Sequence, residues 1–249
     1  MTALVVARRE FKDHIRQPWL LVAAVLIYLI IDAVLALVFI TLQGLVSTQP
    51  QVMDMLGVGS LDDLLITCVG YLNTMMVTEP MTLGAMLGAY SMINDRQNAT
   101  LPFLLLSPIS RWQLLVGKVL GCLVAPLLLH LTLGLVSSVV CSLFPVTAPA
   151  AASLPFSAGW CVGFFVSTPI WAGVLTTFAV LASSIARDIR TSLQINSVVN
   201  LVIGLATGSA IAALMADVLG QTLLAVSGVV LFVGLTSVGQ LVISRDVSR

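Results

Sequence analysis

The sequence contains few charged residues. Only 9% of its 249 residues are Asp, Glu, Lys or Arg, whereas 59% are hydrophobic; a soluble domain carries about 25% charged residues. The formal net charge is zero, so no excess of positive charge points to a nucleic-acid partner. Apolar runs of roughly 20 residues are long enough to cross a bilayer as helices. The composition therefore predicts an all-α integral membrane protein.

The sequence also lacks the residue patterns that enzymes use. It has two histidines and four cysteines, and because no cysteines form a C-x-x-C pair, we expect them to be small buried residues. The pair Gly117-Lys118 is not part of a phosphate-binding loop, because Trp112 stands where the first glycine of G-x-x-x-x-G-K-[ST] belongs. An intramembrane hydrolase would need a nucleophile or metal constellation that the spans do not contain. We therefore expect no catalytic residue, no metal ligand and no ATP site in this chain.

Six apolar segments predict six transmembrane helices, at residues 19–42, 68–93, 113–143, 158–186, 193–216 and 222–243. All eleven Lys and Arg residues fall in or beside the segments on one side of this arrangement, and the three loops on the other side have none. Since Lys-rich and Arg-rich loops stay in the cytoplasm, both termini are predicted to be cytoplasmic. The chain is predicted to be a single transmembrane domain (1–249), with a six-span bundle at 19–243 and a tail at 244–249.

Residues 1–18 have the pattern of an amphipathic helix. Leu4, Ala7, Phe11 and Ile15 share one helical face, and the basic residues lie elsewhere. This composition suits a helix that lies in the membrane interface near anionic headgroups. The alternative is an ordinary basic flank without fixed structure.

Residues 94–118 lie on the predicted cytoplasmic side and contain a short apolar helix. Thr100 is placed to cap the start of this helix, and Pro108 ends it. Ser110 and Gln113 have the spacing of a capping box, which opens the next helix. An exposed apolar helix on a cytoplasmic surface usually meets a partner or the membrane.

Three ionisable residues lie within the predicted spans: Asp32, Glu79 and His130. Ionisable groups at membrane depth are costly and usually face the bundle interior or water, so they are candidates for polar contacts on a substrate pathway. The alternative for the two acids is a protonated or interfacial carboxyl group, and for His130 a buried neutral ring. His14 in the N-terminal flank is expected to be solvated.

Two pairs of glycines four residues apart lie in the predicted spans, Gly84 with Gly88 and Gly204 with Gly208. Such pairs let two helices approach closely in a membrane. We expect them to pack within the bundle. A dimer seam at Gly204 and Gly208 is the alternative.

Several of these segments resemble the permeases of type-2 ABC exporters. In order and spacing, the family signature matches Thr100-Leu101, Leu104-Leu105-Leu106, Ser107-Pro108, Ser110-Arg111 and Gly117-Lys118. Arg9-Glu10-Phe11 is similar to the family's amphipathic connecting helix, and residues 183–190 resemble its second cytoplasmic loop. Ala99 and Pro102 depart from the glycine and glutamate that are usual at those positions.

The resemblance implies a permease subunit in the cytoplasmic membrane of a bacterium or archaeon, exporting an amphipathic or hydrophobic substrate. Two permease copies, identical or different, would form the pathway, and separate cytoplasmic ATPase subunits would bind ATP and Mg²⁺. Residues 95–111 would act as a coupling helix against the ATPase through Asp95, Arg96, Thr100, Leu101, Phe103, Leu104, Pro108 and Arg111. The alternative function is a stand-alone secondary transporter, although the two halves of the chain show no clear repeat of the kind common in that class.

Overall fold

The computed structural model describes residues 3–16, 61–106, 108–143, 157–214 and 217–246, with single helical positions between 22 and 41. Within these residues the chain is helical, with short turns and no strand. The helices are α1 (Ala3–Arg16), α2 (Leu61–Gln97), α3 (Leu101–Leu106), α4 (Arg111–Leu143), α5 (Ala158–Val162), α6 (Thr168–Ile185), α7 (Ile189–Val199), α8 (Leu205–Ala213) and α9 (Val218–Asp246). Two π-helical segments, Gly163–Ser167 and Asn200–Gly204, join α5 to α6 and α7 to α8.

Four helices in the described part of the chain are long and apolar enough to cross a membrane: Arg111–Thr132, Ala158–Ile185, Ile189–Ile211 and Val218–Gly239. They coincide with the third to sixth predicted spans. The second predicted span lies inside α2, which extends beyond it at both ends. Most of the first, at 19–42, lies outside the described residues, and so does Asp32.

The centre of the bundle is the contact between α2 and α6. A methyl group added to Gly88 would lie 3.0 Å from the carbonyl oxygen of Thr176 and 3.1 Å from Cβ of Ala179. Gly84 is similarly close to the side chain of Thr176. Because lipid tails are as apolar as leucine, helices in a membrane gain from this close packing rather than from leaving water. Gly84 and Gly88 therefore pack within the bundle, as expected.

The changes in helical winding do not lie at the prolines inside the long helices. Helix α2 continues through Pro80 and α4 continues through Pro126. The fourth predicted span changes its winding at the π segment Gly163–Ser167, whereas Pro169 lies in the first turn of α6, where proline is tolerated. The hydroxyl of Thr168 donates to the carbonyl of Gly163 at 2.9 Å, which satisfies a backbone acceptor at this change.

Helix α1 packs along α4. Val6, Ala7 and Glu10 are buried, whereas Leu4 and Ile15 are 73% and 50% exposed. The packed face of α1 is thus rotated away from the apolar face that the sequence pattern indicated. The exposed residues remain available to lipid, so the predicted interfacial position of α1 remains a prediction.

Two glycines of α4 determine which face of α1 is buried. A methyl group on Gly117 would lie 2.7 Å from the carbonyl oxygen of Ala3, and one on Gly121 would lie 2.9 Å from the carbonyl oxygen of Ala7. The backbone of α1 therefore rests directly on α4. This contact needs small residues on α4 more than large apolar residues on α1.

We expect Gly117→Ala to destabilise the protein, because the new methyl group must displace the α1 backbone, and overpacking typically costs about 1–3 kcal/mol. Gly234→Ala in α9 is the matched control, since nothing lies within 4 Å of its added methyl group. Both changes improve helix propensity by about 1 kcal/mol. Unfolding of the two purified variants in detergent measures the difference. Equal stability of the two would contradict the α1–α4 contact.

Candidate functional site

A buried lysine joins three helices. Lys118 on α4 is fully buried, and its Nζ lies 3.1 Å from Oε2 of Glu10 on α1 and 2.6 Å from Oδ2 of Asp95 on α2. The ammonium group also donates to the backbone carbonyl of Ser91 at 3.1 Å and to its hydroxyl at 2.9 Å. A buried charge is tolerated only when it is paired and hydrogen-bonded. Lys118 meets this condition with groups from α1 and α2.

The two carboxylates have further partners. Ser91 Oγ donates to Oε1 of Glu10 at 2.6 Å. Nη2 of Arg9 lies 3.2 Å from Oδ1 of Asp95, and the hydroxyl of Thr100 donates to the same oxygen at 2.7 Å. We call Arg9, Glu10, Ser91, Asp95, Thr100 and Lys118 the ion cluster. It lies where the N-terminal helix meets the 95–111 segment.

Asp95 is ionised in this cluster. Burial raises the pKa of its carboxyl group, but the charge of Lys118, hydrogen bonds from Lys118 and Thr100, and the charge of Arg9 outweigh burial and hold the pKa below its ordinary value. The ionised Asp95 thus pairs with the side chains of both Lys118 and Arg9. Thr100 directly precedes α3, where its carbonyl accepts a hydrogen bond from Leu104 N at 3.1 Å, and its hydroxyl donates to the carboxylate of Asp95; its capping role remains a prediction.

Arg96 connects the same segment to another helix. Its guanidinium group donates to the carbonyl of Ala186 at 2.9 Å and to that of Ser184 at 2.6 Å. The last carbonyls of a helix have no partner within it, and Arg96 supplies one at the end of α6. The 183–190 loop is thereby tied to the end of α2.

One side of helix α3 packs against the bundle, and the other side is exposed. Leu101 packs against the hydrophobic core, and Leu104 is half-buried. Phe103 is 74% exposed and Leu106 is 84% exposed. The helix is therefore fixed to the bundle through Leu101, while its aromatic side chain faces outward.

The turn after α3 confirms the predicted capping box. Ser110 N donates to Oε1 of Gln113 at 3.1 Å, and Gln113 N donates to Oγ of Ser110 at 3.2 Å. These reciprocal bonds satisfy two donors at the start of α4. Pro108 and Arg111 flank this turn and are both exposed. Of the eight predicted coupling residues, the exposed ones are thus Phe103, Pro108 and Arg111, with Arg96 exposed but engaged by the α6 carbonyls.

Two of the predicted pathway residues, Glu79 and His130, lie in the described part of the chain. His130 is buried, its ring stacks on Phe164 with centroids 4.0 Å apart, and Nε2 lies 3.2 Å from the carbonyl oxygen of Phe164. Glu79 is buried within α2. These contacts fit the structural alternative for His130, and the pathway role of either residue remains a prediction.

The fifth-span glycines face inward. A methyl group on Gly204 would lie 2.6 Å from Oδ1 of Asn200 and 3.6 Å from Cδ1 of Leu175 on α6, and Gly208 is also buried. Their surroundings within one chain favour packing inside the bundle over a dimer seam.

His14 was expected to be solvated, but it is not. It is half-buried against α4, with Nε2 3.5 Å from Sγ of Cys122. Burial lowers the pKa of His14; the carboxylates of Glu10 and Asp13 oppose this change and Lys118 adds to it. The predicted burial of the cysteines is correct for Cys122.

Sequence reasoning missed Glu10, Ser91 and Lys118 as a functional unit. Lys118 was counted only as a positive charge beside the third span and as part of the Gly117-Lys118 pair. A lysine seven residues into a long apolar helix must find a counter-charge. The need for a counter-charge could be inferred from the sequence. Spacing alone could not identify the partner as Glu10, which lies 108 residues earlier.

Comparison with known proteins gives one match. The family model described as ABC-2 family transporter protein matches residues 4–244. Searches of curated proteins and of solved structures found no match.

We expect Lys118→Met to cost about 3–5 kcal/mol of folding free energy, because it leaves the carboxylates of Glu10 and Asp95 buried without their main partner. Arg9→Ala should cost about 1 kcal/mol or less, since that side chain is 41% exposed. Unfolding of both variants in detergent provides the test. Adding Glu10→Gln and Asp95→Asn to Lys118→Met should recover part of the loss. A Lys118→Met variant as stable as Arg9→Ala would refute the role of the cluster.

A second prediction concerns pH. Because the folded pKa of His14 lies below 6.5, the unfolded chain takes up a proton before the folded chain does. The contribution of His14 to stability is therefore complete above pH 6.5 and is lost as the pH falls from there towards the folded pKa. We expect His14→Gln to lack this part of the pH dependence of unfolding. The same slope in wild type and variant would show that His14 is solvated.

Proposed function

We propose that this chain, which belongs to the ABC-2 family of transporter proteins, is the permease subunit of an ATP-driven exporter. Members of that family are membrane subunits of transporters, and the apolar helices of this chain agree with a multi-pass membrane protein. In the proposed complex two permease copies form the pathway, and separate cytoplasmic ATPase subunits bind ATP and Mg²⁺. The proposal places both termini and the 95–111 segment in the cytoplasm, on the basis of the one-sided Lys and Arg distribution.

One observation carries the coupling role: α3 exposes Phe103 and Leu106 while the same short helix is fixed to the bundle at Leu101. A six-residue helix is too short to be stable alone in water. Its exposed aromatic side chain suits insertion into a groove of a partner, because buried aromatic anchors dominate the energy of protein interfaces. The groove is proposed to belong to the ATPase.

The ion cluster provides the route by which movement of α3 reaches the helices. Thr100, one residue before α3, is hydrogen-bonded to Asp95, and Asp95 is paired with Lys118 on α4. Arg96 links the end of α2 to the end of α6. A displacement of α3 by the ATPase would therefore act on α2, α4 and α6 together. In this scheme Asp95, Thr100 and Leu101 position the segment, and Phe103 and Arg111 contact the partner.

The substrate is proposed to be amphipathic or hydrophobic. The exposed side chains of α9 are largely apolar, among them Leu223, Val226, Val230 and Val233. Such surfaces suit contact with lipid or with a second copy of the chain.

A stand-alone secondary transporter remains the competing function, and it is distinguished by having no ATPase partner.

We expect Phe103→Ala to weaken association with the ATPase or to uncouple ATP hydrolysis from transport. Truncation of a buried aromatic anchor costs more than about 2 kcal/mol, which is roughly 30-fold in affinity. Arg111→Ala should have a smaller effect, since rim charges contribute about 1 kcal/mol or less. Co-purification of the ATPase with each variant, together with transport by the reconstituted complex, provides the measurement.

The control is Leu128→Ala, which truncates another exposed apolar side chain, on α4 rather than α3. It should leave ATPase association unchanged. If Phe103→Ala behaves as this control does in both assays, α3 is not the coupling element. If wild-type protein transports substrate without any ATPase, the secondary-transporter function is correct instead.

A further inference from the structure

Three side chains with metal-binding atoms meet between α1 and α4. Glu10 and His14 lie one turn apart on α1, and Cys122 lies on α4. One ligand atom from each residue lies within 4.8 Å of the other two. The spacing of the cysteines could not reveal this group, because two of its members are more than 100 residues from the third.

The distances suit a tetrahedral metal centre. Zinc binds cysteine sulfur at about 2.3 Å and histidine nitrogen at about 2.0–2.1 Å, so a tetrahedral ion separates the two ligand atoms by about 3.6 Å. The Nε2 of His14 and the Sγ of Cys122 are 3.5 Å apart. The pair can therefore accept such an ion with little movement of either helix.

The protonation state of His14 suits this chemistry. A histidine ligand must be neutral, and burial, reinforced by the charge of Lys118, favours the neutral ring of His14. The thiol of Cys122 would lose its proton to water when the metal–sulfur bond forms. Imidazole, thiolate and carboxylate are each ligands that zinc uses in proteins.

We propose that Glu10, His14 and Cys122 form a site for a zinc-class divalent ion that fastens α1 to α4. A water molecule would complete the coordination. The proposal is independent of the ATPase-coupled function, because it concerns binding and not transport.

Lys118 is the main obstacle to a cation at this position, and the ion cluster offers a solution. Nζ of Lys118 lies 3.1 Å from Glu10 but only 2.6 Å from Asp95, and it also contacts Ser91. Lys118 can keep Asp95 and Ser91 as partners while Glu10 turns one carboxylate oxygen towards the metal. Metal binding would then weaken the link between Glu10 and Lys118, while Arg9 on α1 would still pair with Asp95.

The test uses the full-length protein in detergent, treated with a chelator and then titrated with Co²⁺, a spectroscopic substitute for Zn²⁺. We expect one equivalent to produce a thiolate-to-cobalt charge-transfer band, which Zn²⁺ removes. Cys122→Ser should abolish the band. His14→Gln should weaken Zn²⁺ binding by at least about 100-fold, since even loss of a residue that only supports a ligand costs 10–100-fold.

Cys161→Ser is the matched control, because Cys161 lies on α5 outside the three-residue group. It should leave the band and the Zn²⁺ affinity unchanged. The metal-free Cys122→Ser and His14→Gln proteins are compared with wild type by thermal unfolding, and if one fails to fold, the other provides the test. The proposal would be overturned if wild type shows no charge-transfer band, or if Zn²⁺ binding survives both substitutions. The contact between His14 and Cys122 would then be an imidazole–thiol hydrogen bond.

Discussion

The arrangement of the described helices depends on the burial of one ammonium group. Lys118 has no exposure to solvent and must be neutralised where it lies. Its counter-charges, Glu10 and Asp95, come from α1 and from the end of α2. Three segments that are distant in sequence are thereby held at one point. The close contact of α1 with Gly117 and Gly121 follows, because Glu10 reaches Lys118 only when the α1 backbone rests on α4.

The same ion cluster fixes the 95–111 segment to the bundle. A surface helix held only by apolar contacts could slide over the bundle, whereas α3 follows a residue whose hydroxyl is bonded to a buried carboxylate. Arg96 adds a second attachment at the end of α6. Buried ion pairs often contribute little net stability but are costly to disrupt singly. This property suits the coupling role proposed for the segment, since partial separation of its contacts is unfavourable.

Much of the architecture could be predicted because the membrane limits the choices. Apolar length indicates helices, and the positions of the last four predicted spans agree with α4, α5–α6, α7–α8 and α9 to within a few residues. The capping box of Ser110 and Gln113 is local and was also correct. The rotation of α1 was not predictable in the same way. Its apolar pattern indicated a face for the membrane interface that includes Leu4 and Ile15, but it could not show which face packs on α4. That face is decided by the glycines of α4, which accept the α1 backbone, and by Lys118, which requires Glu10.

The sequence by itself indicated a helical membrane protein with a short apolar segment before α4, because hydropathy, proline positions and capping residues act over a few turns of chain. The motifs from Thr100 to Lys118 were sufficient to indicate the ABC-2 family. Only the tertiary structure decided which charges are partners: Lys118 with Glu10 and Asp95, Arg96 with the α6 carbonyls, and His14 beside Cys122. The physical reason is that electrostatic pairing depends on distances of a few ångströms between side chains up to 108 residues apart, and these distances exist only once the helices have packed.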